Sequence, residues 1–176
     1  MQGDVQQSLT IRPAQEGDVA AICALQKQCY SEAFHENEIA FLSKINGAKG
    51  LCWVAENQGQ LLAYLMSVPV KTPYIPCLNM ENYQQPDGAD MLYLHDMAIV
   101  PHARGLGLKR RLLDKVLAHA QQAHFRQAIL IAVQNSVPIW EKEGFSIVDA
   151  SVLELAEVLQ SYGSDAKLMS KTLFSI

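Results

Sequence analysis

The sequence predicts a mixed α/β fold of the α+β kind, built on one central sheet. Three observations carry that expectation. Two strand-like runs, Leu51 to Glu56 and Gln60 to Val70, flank Asn57-Gln58-Gly59, which is hairpin turn chemistry and points to antiparallel pairing. Farther on, apolar runs at 91–100 and 128–133 bracket a helical stretch from Leu108 to Ala120. A strand–helix–strand unit of that kind should be parallel and right-handed. The length of 176 residues, with 49% apolar and 18% charged side chains, suits a single globular domain over 1–176.

In chain order, Leu9-Thr10-Ile11-Arg12 reads as a short strand closed by Pro13. Asp18 is the expected N-cap of a helix carrying Val19, Ile22, Leu25 and Gln26 to about Tyr30. A second amphipathic segment, Asn37 to Lys44, places Ile39, Phe41, Leu42 and Ile45 around Gly47. After the hairpin, residues 72–90 hold Pro73, Pro76, Pro86 and Gly88 with Tyr74 and Tyr83, and read as a long loop, either a lid or a loose insertion. Met91 to Val100 is a strand. Leu108, Leu112, Leu113, Val116, Leu117 and Ala120 recur at helical spacing. Ala128 to Val133 is an unbroken apolar run, as expected of a strand buried on both faces. Pro138 to Glu143 predicts a short helix stopped by Gly144, then a strand at Phe145 to Val148, a helix at Val152 to Leu159 and a final strand at Lys167 to Phe174.

Charge excludes some functions. Lys plus Arg total 14 and Asp plus Glu total 18, a net charge of −4, so bulk nucleic-acid binding is not expected. Met1 to Ser8 is polar and no apolar run reaches membrane-spanning length, so neither a leader nor a membrane segment is expected. Cys23, Cys29, Cys52 and Cys77 show no C-x-x-C spacing. They read as reduced, mostly buried thiols of a cytoplasmic protein, with no metal site.

The most informative stretch runs from Tyr93 to Arg111. A strand ends at Pro101, glycines follow at 105 and 107, and a basic amphipathic helix starts at once. Glycines there let the backbone approach a ligand, and the first N–H groups of the helix point back into the turn. Together these make a cradle for an anion such as a pyrophosphate. Spacing excludes a P-loop, since no G-x-x-x-x-G-K-[ST] is present, and a dinucleotide fingerprint, whose third glycine falls on Arg110.

The turn resembles the cofactor turn of the GNAT superfamily of acyl-CoA-dependent N-acyltransferases, whose signature is [QR]-x-x-G-x-[GA]. Arg104 and Gly107 match, and Lys109 stands at the last position. Other segments extend the resemblance over nearly the whole chain: the Ile11-Arg12-Pro13-Ala14 opening, Leu94-His95-Asp96-Met97-Ala98-Ile99 with Pro101, Trp140 to Phe145, and Tyr162-Gly163 with Lys167-Leu168-Met169. The resemblance implies a mostly antiparallel sheet of about seven strands with a parallel pair at the cofactor site, flanked by about four helices. It also implies acetyl-CoA as co-substrate, no metal, and transfer of the acetyl group to a primary amine. A small-molecule amine is the implied partner, with no nucleic acid or membrane, and a homodimer is left open.

By the same resemblance, the backbone of Gly105, Leu106, Gly107, Leu108, Lys109 and Arg110 would hold the pyrophosphate. Arg104, Lys109 and Arg110 would add positive charge there, whereas Arg111 and Lys115 read as a solvated helix face. Met97, Ala98 and Ile99 would lie along the pantetheine arm, and Asn135 could bond it. His95 is the expected base, since an imidazole accepts a proton near neutral pH. The competing reading is a buried strand histidine satisfied by a backbone carbonyl. Alternation puts Tyr93, His95 and Met97 on one face and Asp96 on the other. Tyr93 takes the place of a second histidine found in the arylalkylamine N-acetyltransferases, which the stretch resembles, so the resemblance implies a single-histidine relay at His95, direct or through water, with Tyr93 the other candidate catalytic residue. Trp140 stands where many members place a tyrosine acid, and an indole N–H is no substitute. Either the thiolate leaves unaided, or Tyr162 or Tyr64 reaches in. Phe34, His35, Tyr74 and Tyr83 are candidate walls of the acceptor site, with Glu32, Glu36, Glu38 and Glu81 as attractors of a cation or as ordinary surface. A catalytically lapsed acyl-CoA-binding module is the alternative function.

Overall fold

The computed structural model describes residues 8–174, so the polar opening stretch before Ser8 lies outside the described residues. Seven strands form one sheet: β1 (Leu9–Pro13), β2 (Trp53–Asn57), β3 (Gln60–Val70), β4 (Met91–Ile99), β5 (Gln127–Ala132), β6 (Ser146–Ile147) and β7 (Lys167–Thr172). Their order is β1-β2-β3-β4-β5-β7-β6. Every neighbouring pair is antiparallel except β4 with β5. The hairpin expected at Asn57-Gln58-Gly59 is present, with positive φ at Gln58 and Gly59, as a tight two-residue turn requires.

Five α-helices accompany the sheet among the described residues, one more than expected: α1 (Val19–Cys29), α2 (Glu38–Gly47), α3 (Leu108–Gln122), α4 (Val137–Glu141) and α5 (Ala156–Ser161). The helix expected over 152–159 is split instead. A 3-10 turn at Ala150–Leu153 ends on Glu154 with φ 57°, and α5 begins only at Ala156. Asn37 caps α2 by accepting from the Ala40 N–H at 2.9 Å. Asp18 precedes α1 but does not cap it. Its carboxylate is taken by the Arg12 guanidinium at 2.8 Å and by the Gln15 N–H at 2.8 Å.

Helices α1 and α2 cover one face of the sheet and α3 the other. Phe41 of α2 packs edge-on against Tyr64 of β3, while Trp53 of β2 meets His119 of α3. Trp53 pairs with Leu65, the neighbour of Tyr64, so the two contacts fall on opposite faces. Phe41 is fully buried, and truncation to alanine should cost about 3–5 kcal/mol. Ile39, expected on the same apolar face, is exposed. The loop after β3 is pinned down rather than loose. Tyr83 is buried against Gly47, donates to the Pro69 carbonyl at 2.6 Å, and would collide with any Cβ at Gly47.

One irregularity rearranges the middle of β4. Met66 pairs with Asp96, but Ser67 pairs with Leu94, so His95 is an extra residue bulged out of the ladder. Simple alternation therefore fails here. Tyr93 and His95 do share the α1–α2 face. Asp96 joins them there, paired opposite Met66 and bonded to Tyr64, and Met97 turns to the α3 face opposite Leu65.

Candidate active site

Strands β4 and β5 are paired only from Met91 with Gln127 to Tyr93 with Ile129. Beyond that point β4 runs on to Ile99 and β5 to Ala132 without partnering each other. The parting strands open a cleft of about 900 Å³, lined by Leu94 to Ile99 on one side and Leu130, Ile131 and Val133 on the other. Val100 N–H bonds the Leu62 carbonyl, so alternation turns the peptide groups of Met97 and Ile99 away from β3 and into this gap. Their carbonyls are occupied: Tyr30 OH donates to Met97 and the Cys29 thiol to Ile99 at 3.2 Å.

The mouth of the cleft is the glycine turn. Gly105 has φ 84° and Gly107 φ 75°, and nothing lies within 4 Å of the Cβ that either would carry. Gly107 is the N-cap of α3, so the first N–H groups of that helix have no partner within it and face the turn. The space and the donors fit a diphosphate. Lys109 is turned aside: its Nζ lies 3.1 Å from Glu143 Oε1, while Arg110 reaches Glu143 Oε2 at 3.2 Å. Arg104, Lys109, Arg110 and Leu108 line the cleft; Leu106 does not. Arg111 and Lys115 are exposed and off the cleft. Trp140 lines it and packs edge-on against Phe145. Asn135 is exposed and off the cleft, whose wall there is Gln134 and Ser136.

At the inner end lies a buried polar cluster. The His95 side chain is fully buried, with Nε2 2.7 Å from Glu36 Oε1, and the Tyr93 ring stands edge-on to it. Glu36, expected either to attract a cation at the acceptor site or to be ordinary surface, has a side chain with no exposure and also pairs with the equally buried Lys44 at 2.9 Å. Burial alone would raise the Glu36 carboxyl, but the hydrogen bond and charge of His95 and the Lys44 ammonium outweigh it and hold the group down to about 2. Burial pushes Asp96 up to about 6, against the lowering effect of a 2.6 Å hydrogen bond from Tyr64 OH.

Of the two tyrosines that could replace the missing acid, Tyr64 is buried and committed to Asp96. Tyr162 lines the cleft, 3.5 Å from the Tyr93 hydroxyl, with burial raising its phenol to about 12. Tyr93 itself is buried behind the cleft wall. Phe34 lines the cleft, together with Leu78 and Tyr30. His35 bonds the Tyr30 carbonyl, Tyr74 is exposed, Tyr83 is buried under Gly47, and none of these three reaches the cleft. Glu32 and Glu38 are exposed, and Glu81 is held by Asn37.

The family model for the acetyltransferase (GNAT) family matches residues 19–145, which takes in the cleft from α1 to Phe145. The chain belongs to the GNAT family. Its fold agrees with solved structures: Ard1 from Thermoplasma volcanium superposes with a TM-score of 0.73 at 14% identity, over 96% of this chain and 99% of that one. Naa50 of Arabidopsis thaliana, in complex with the bisubstrate analogue CoA-Ac-MVNAL, gives 0.67 at 17% identity, over 93% and 98%. In sequence, N-acetyltransferase 8 of Rattus norvegicus is 26% identical over 106 residues, 58% of this chain and 42% of that protein. The chain thus spans less than half the length of that relative.

Within this GNAT fold the sequence pointed to the glycine turn, to His95 and to Glu36 as one of several possible attractors of a cation, but not to the pairing of Glu36 with His95 and Lys44 or to Glu143 at the mouth of the cleft. Glu36 was visible only as one of several acids between 32 and 38, and nothing local marks it as the one that turns inward. Among the described residues, no helix is long and apolar enough to cross a membrane, and no group of three or more His, Cys, Asp or Glu is placed to hold a metal ion.

Proposed function

We propose that the chain is an acetyl-CoA-dependent N-acetyltransferase that moves an acetyl group to a primary amine by direct attack within a ternary complex. The observation that carries this reading is the gap between β4 and β5, which runs from the glycine turn to the buried histidine. Acetyl-CoA would supply the thioester. The N–H groups of Gly105 to Arg110 would hold its diphosphate, with Arg104, Lys109 and Arg110 adding charge, and the N–H groups of Met97 and Ile99 would pair with its arm along β4. Ala98 lines the same wall.

His95 would take the proton that the ammonium must lose before attack, and Tyr93 would buttress its ring. The Met97 N–H is suited to polarise the thioester carbonyl, and Tyr162 to protonate the departing thiolate. The inner walls are Phe34, Leu78, Tyr30 and Tyr162, while Glu36 and Asp96 are engaged by Lys44, His95 and Tyr64. A small primary amine bearing an apolar substituent suits such walls better than a polycation does. Four free thiols suit a reducing compartment, so we place the reaction in the cytoplasm.

The test is thiol release from acetyl-CoA over a panel of arylalkylamines, polyamines, amino acids and short peptides. Turnover with apolar small amines supports the reading. Turnover with peptides alone would move the acceptor to a polypeptide terminus. Stoichiometric CoA binding without turnover would favour the lapsed binding module, toward which Trp140 in place of a tyrosine acid points.

A further inference from the structure

Glu36 lies in the link between the 3-10 turn at Glu32–Phe34 and α2, and its carboxylate is divided between two tasks. Oε2 accepts from Lys44 Nζ at 2.9 Å and from the Asn79 backbone N–H at 2.8 Å. Oε1 is left to His95 Nε2 at 2.7 Å. The Glu36 backbone is fixed as well, because its N–H and carbonyl both bond the buried Gln26 side chain. An ionised carboxylate can only accept, so the neutral imidazole carries its hydrogen on Nε2 and keeps a lone pair on Nδ1. Among the described residues, that Nδ1 is buried and has no hydrogen-bond partner. An interior acceptor left open is unfavourable unless something comes to fill it.

We propose that Glu36 is the positioning residue of His95: its carboxylate holds the imidazole with Nδ1 as the free proton acceptor, and the Asn79 bond ties that orientation to the loop over 71–90. The inference rests on the acetyl-transfer reading for its consequence in catalysis, though not for the positioning itself. A buried ion pair is a poor source of stability compared with apolar packing, so Lys44 and Glu36 alone do not explain the arrangement. A third bond to a histidine at the cleft, aligned by a carboxylate already held by Lys44 and Asn79 on a backbone fixed by Gln26, does. The charged and titratable groups around the ring are Glu36 and Lys44 from the α2 side, Tyr93 and Asp96 on β4, Tyr64 on β3 and Tyr30 after α1 through Asp96, and Tyr162 through Tyr93.

Nitrogen chemical shifts of the imidazoles, with His95 assigned by loss of its signals in His95→Asn, read the tautomer without any turnover. The wild type should show one tautomer, protonated at Nε2. The double variant Glu36→Leu with Lys44→Met removes both charges together and leaves Nε2 unpaired. It should mix the tautomers and lower kcat by at least about tenfold, with KM for acetyl-CoA within about twofold. Glu36→Gln with Lys44→Met should restore the single tautomer through the amide oxygen. Its kcat should recover to within about threefold of the wild type. If the leucine variant fails to fold, the glutamine variant alone decides, and mixed tautomers in it overturn the inference. A single wild-type tautomer persisting in the leucine variant overturns it too. If the shifts behave as expected but no amine is acetylated, the positioning stands and the acetyl-transfer reading falls.

Discussion

Lys109 Nζ and Glu143 Oε1 lie 3.1 Å apart across the mouth of the cleft, and the same carboxylate holds Arg110. Two cations suited to a diphosphate are thus partly neutralised from within the chain. Glu143→Gln should free both, tightening CoA by about two- to fivefold and steepening its dependence on salt. The ion pairs are partly exposed, so stability should change by less than about 1 kcal/mol. Calorimetric titration with CoA at two ionic strengths checks this; weaker binding would mean that Glu143 orders the cations for the ligand instead.

Gly107 holds φ 75° at the N-cap of α3. Gly107→Ala should cost about 1–2 kcal/mol for the left-handed backbone and weaken CoA at least about tenfold, because a methyl group would fill the open space of the cradle. Thermal melting and CoA titration read the two effects separately. Equal CoA affinity in the variant would place the diphosphate elsewhere.

Of the two tyrosines considered as the acid, Tyr162 reaches the cleft and Tyr64 does not. Tyr162→Phe should lower kcat by about 10²-fold while leaving KM for acetyl-CoA nearly unchanged. Since burial raises its phenol to about 12, the wild-type rate should show no basic limb from Tyr162 below pH 10. Undiminished kcat in Tyr162→Phe would show that the thiolate leaves without this acid.

Glu36 and Asp96 pull the pH dependence of stability in opposite directions. The Glu36 carboxyl falls from 4.5 to about 2 on folding, so its contribution is present above pH 4.5 and is lost as pH drops toward 2. Asp96 rises from 3.8 to about 6, so the folded state holds that proton more tightly and stability declines as pH climbs from about 4 to 6. Each effect is on the order of 3 kcal/mol. Asp96→Asn removes the second, so its melting temperature should gain on the wild type between pH 4.5 and 7.5. A constant gap over that range would show that Asp96 titrates unperturbed.

Sequence and structure agree best where local chemistry leaves a mark. A left-handed turn in front of a helix needs glycine, so Gly105 and Gly107 advertise the cradle. The hairpin turn at Gln58-Gly59 is marked in the same way. Asp96 and Met97 went to the wrong faces because a bulge belongs to the register between β4 and β3, not to β4 alone. Asn135 and Tyr83 look no different in sequence from residues that do line the cleft.

Periodicity, turn residues and spacing along the chain were therefore enough for the strand order of the hairpin, the crossover helix, the glycine cradle and a histidine just upstream of it. These depend on backbone preferences that act over a few residues. The partnership of Glu36 with His95 spans 59 positions. It exists because α2 packs on the face of the sheet toward which the bulge swings His95, and because burial makes an unpaired carboxylate too costly to leave without Lys44. Long-range packing, not local preference, chose which of the several acids became part of the site.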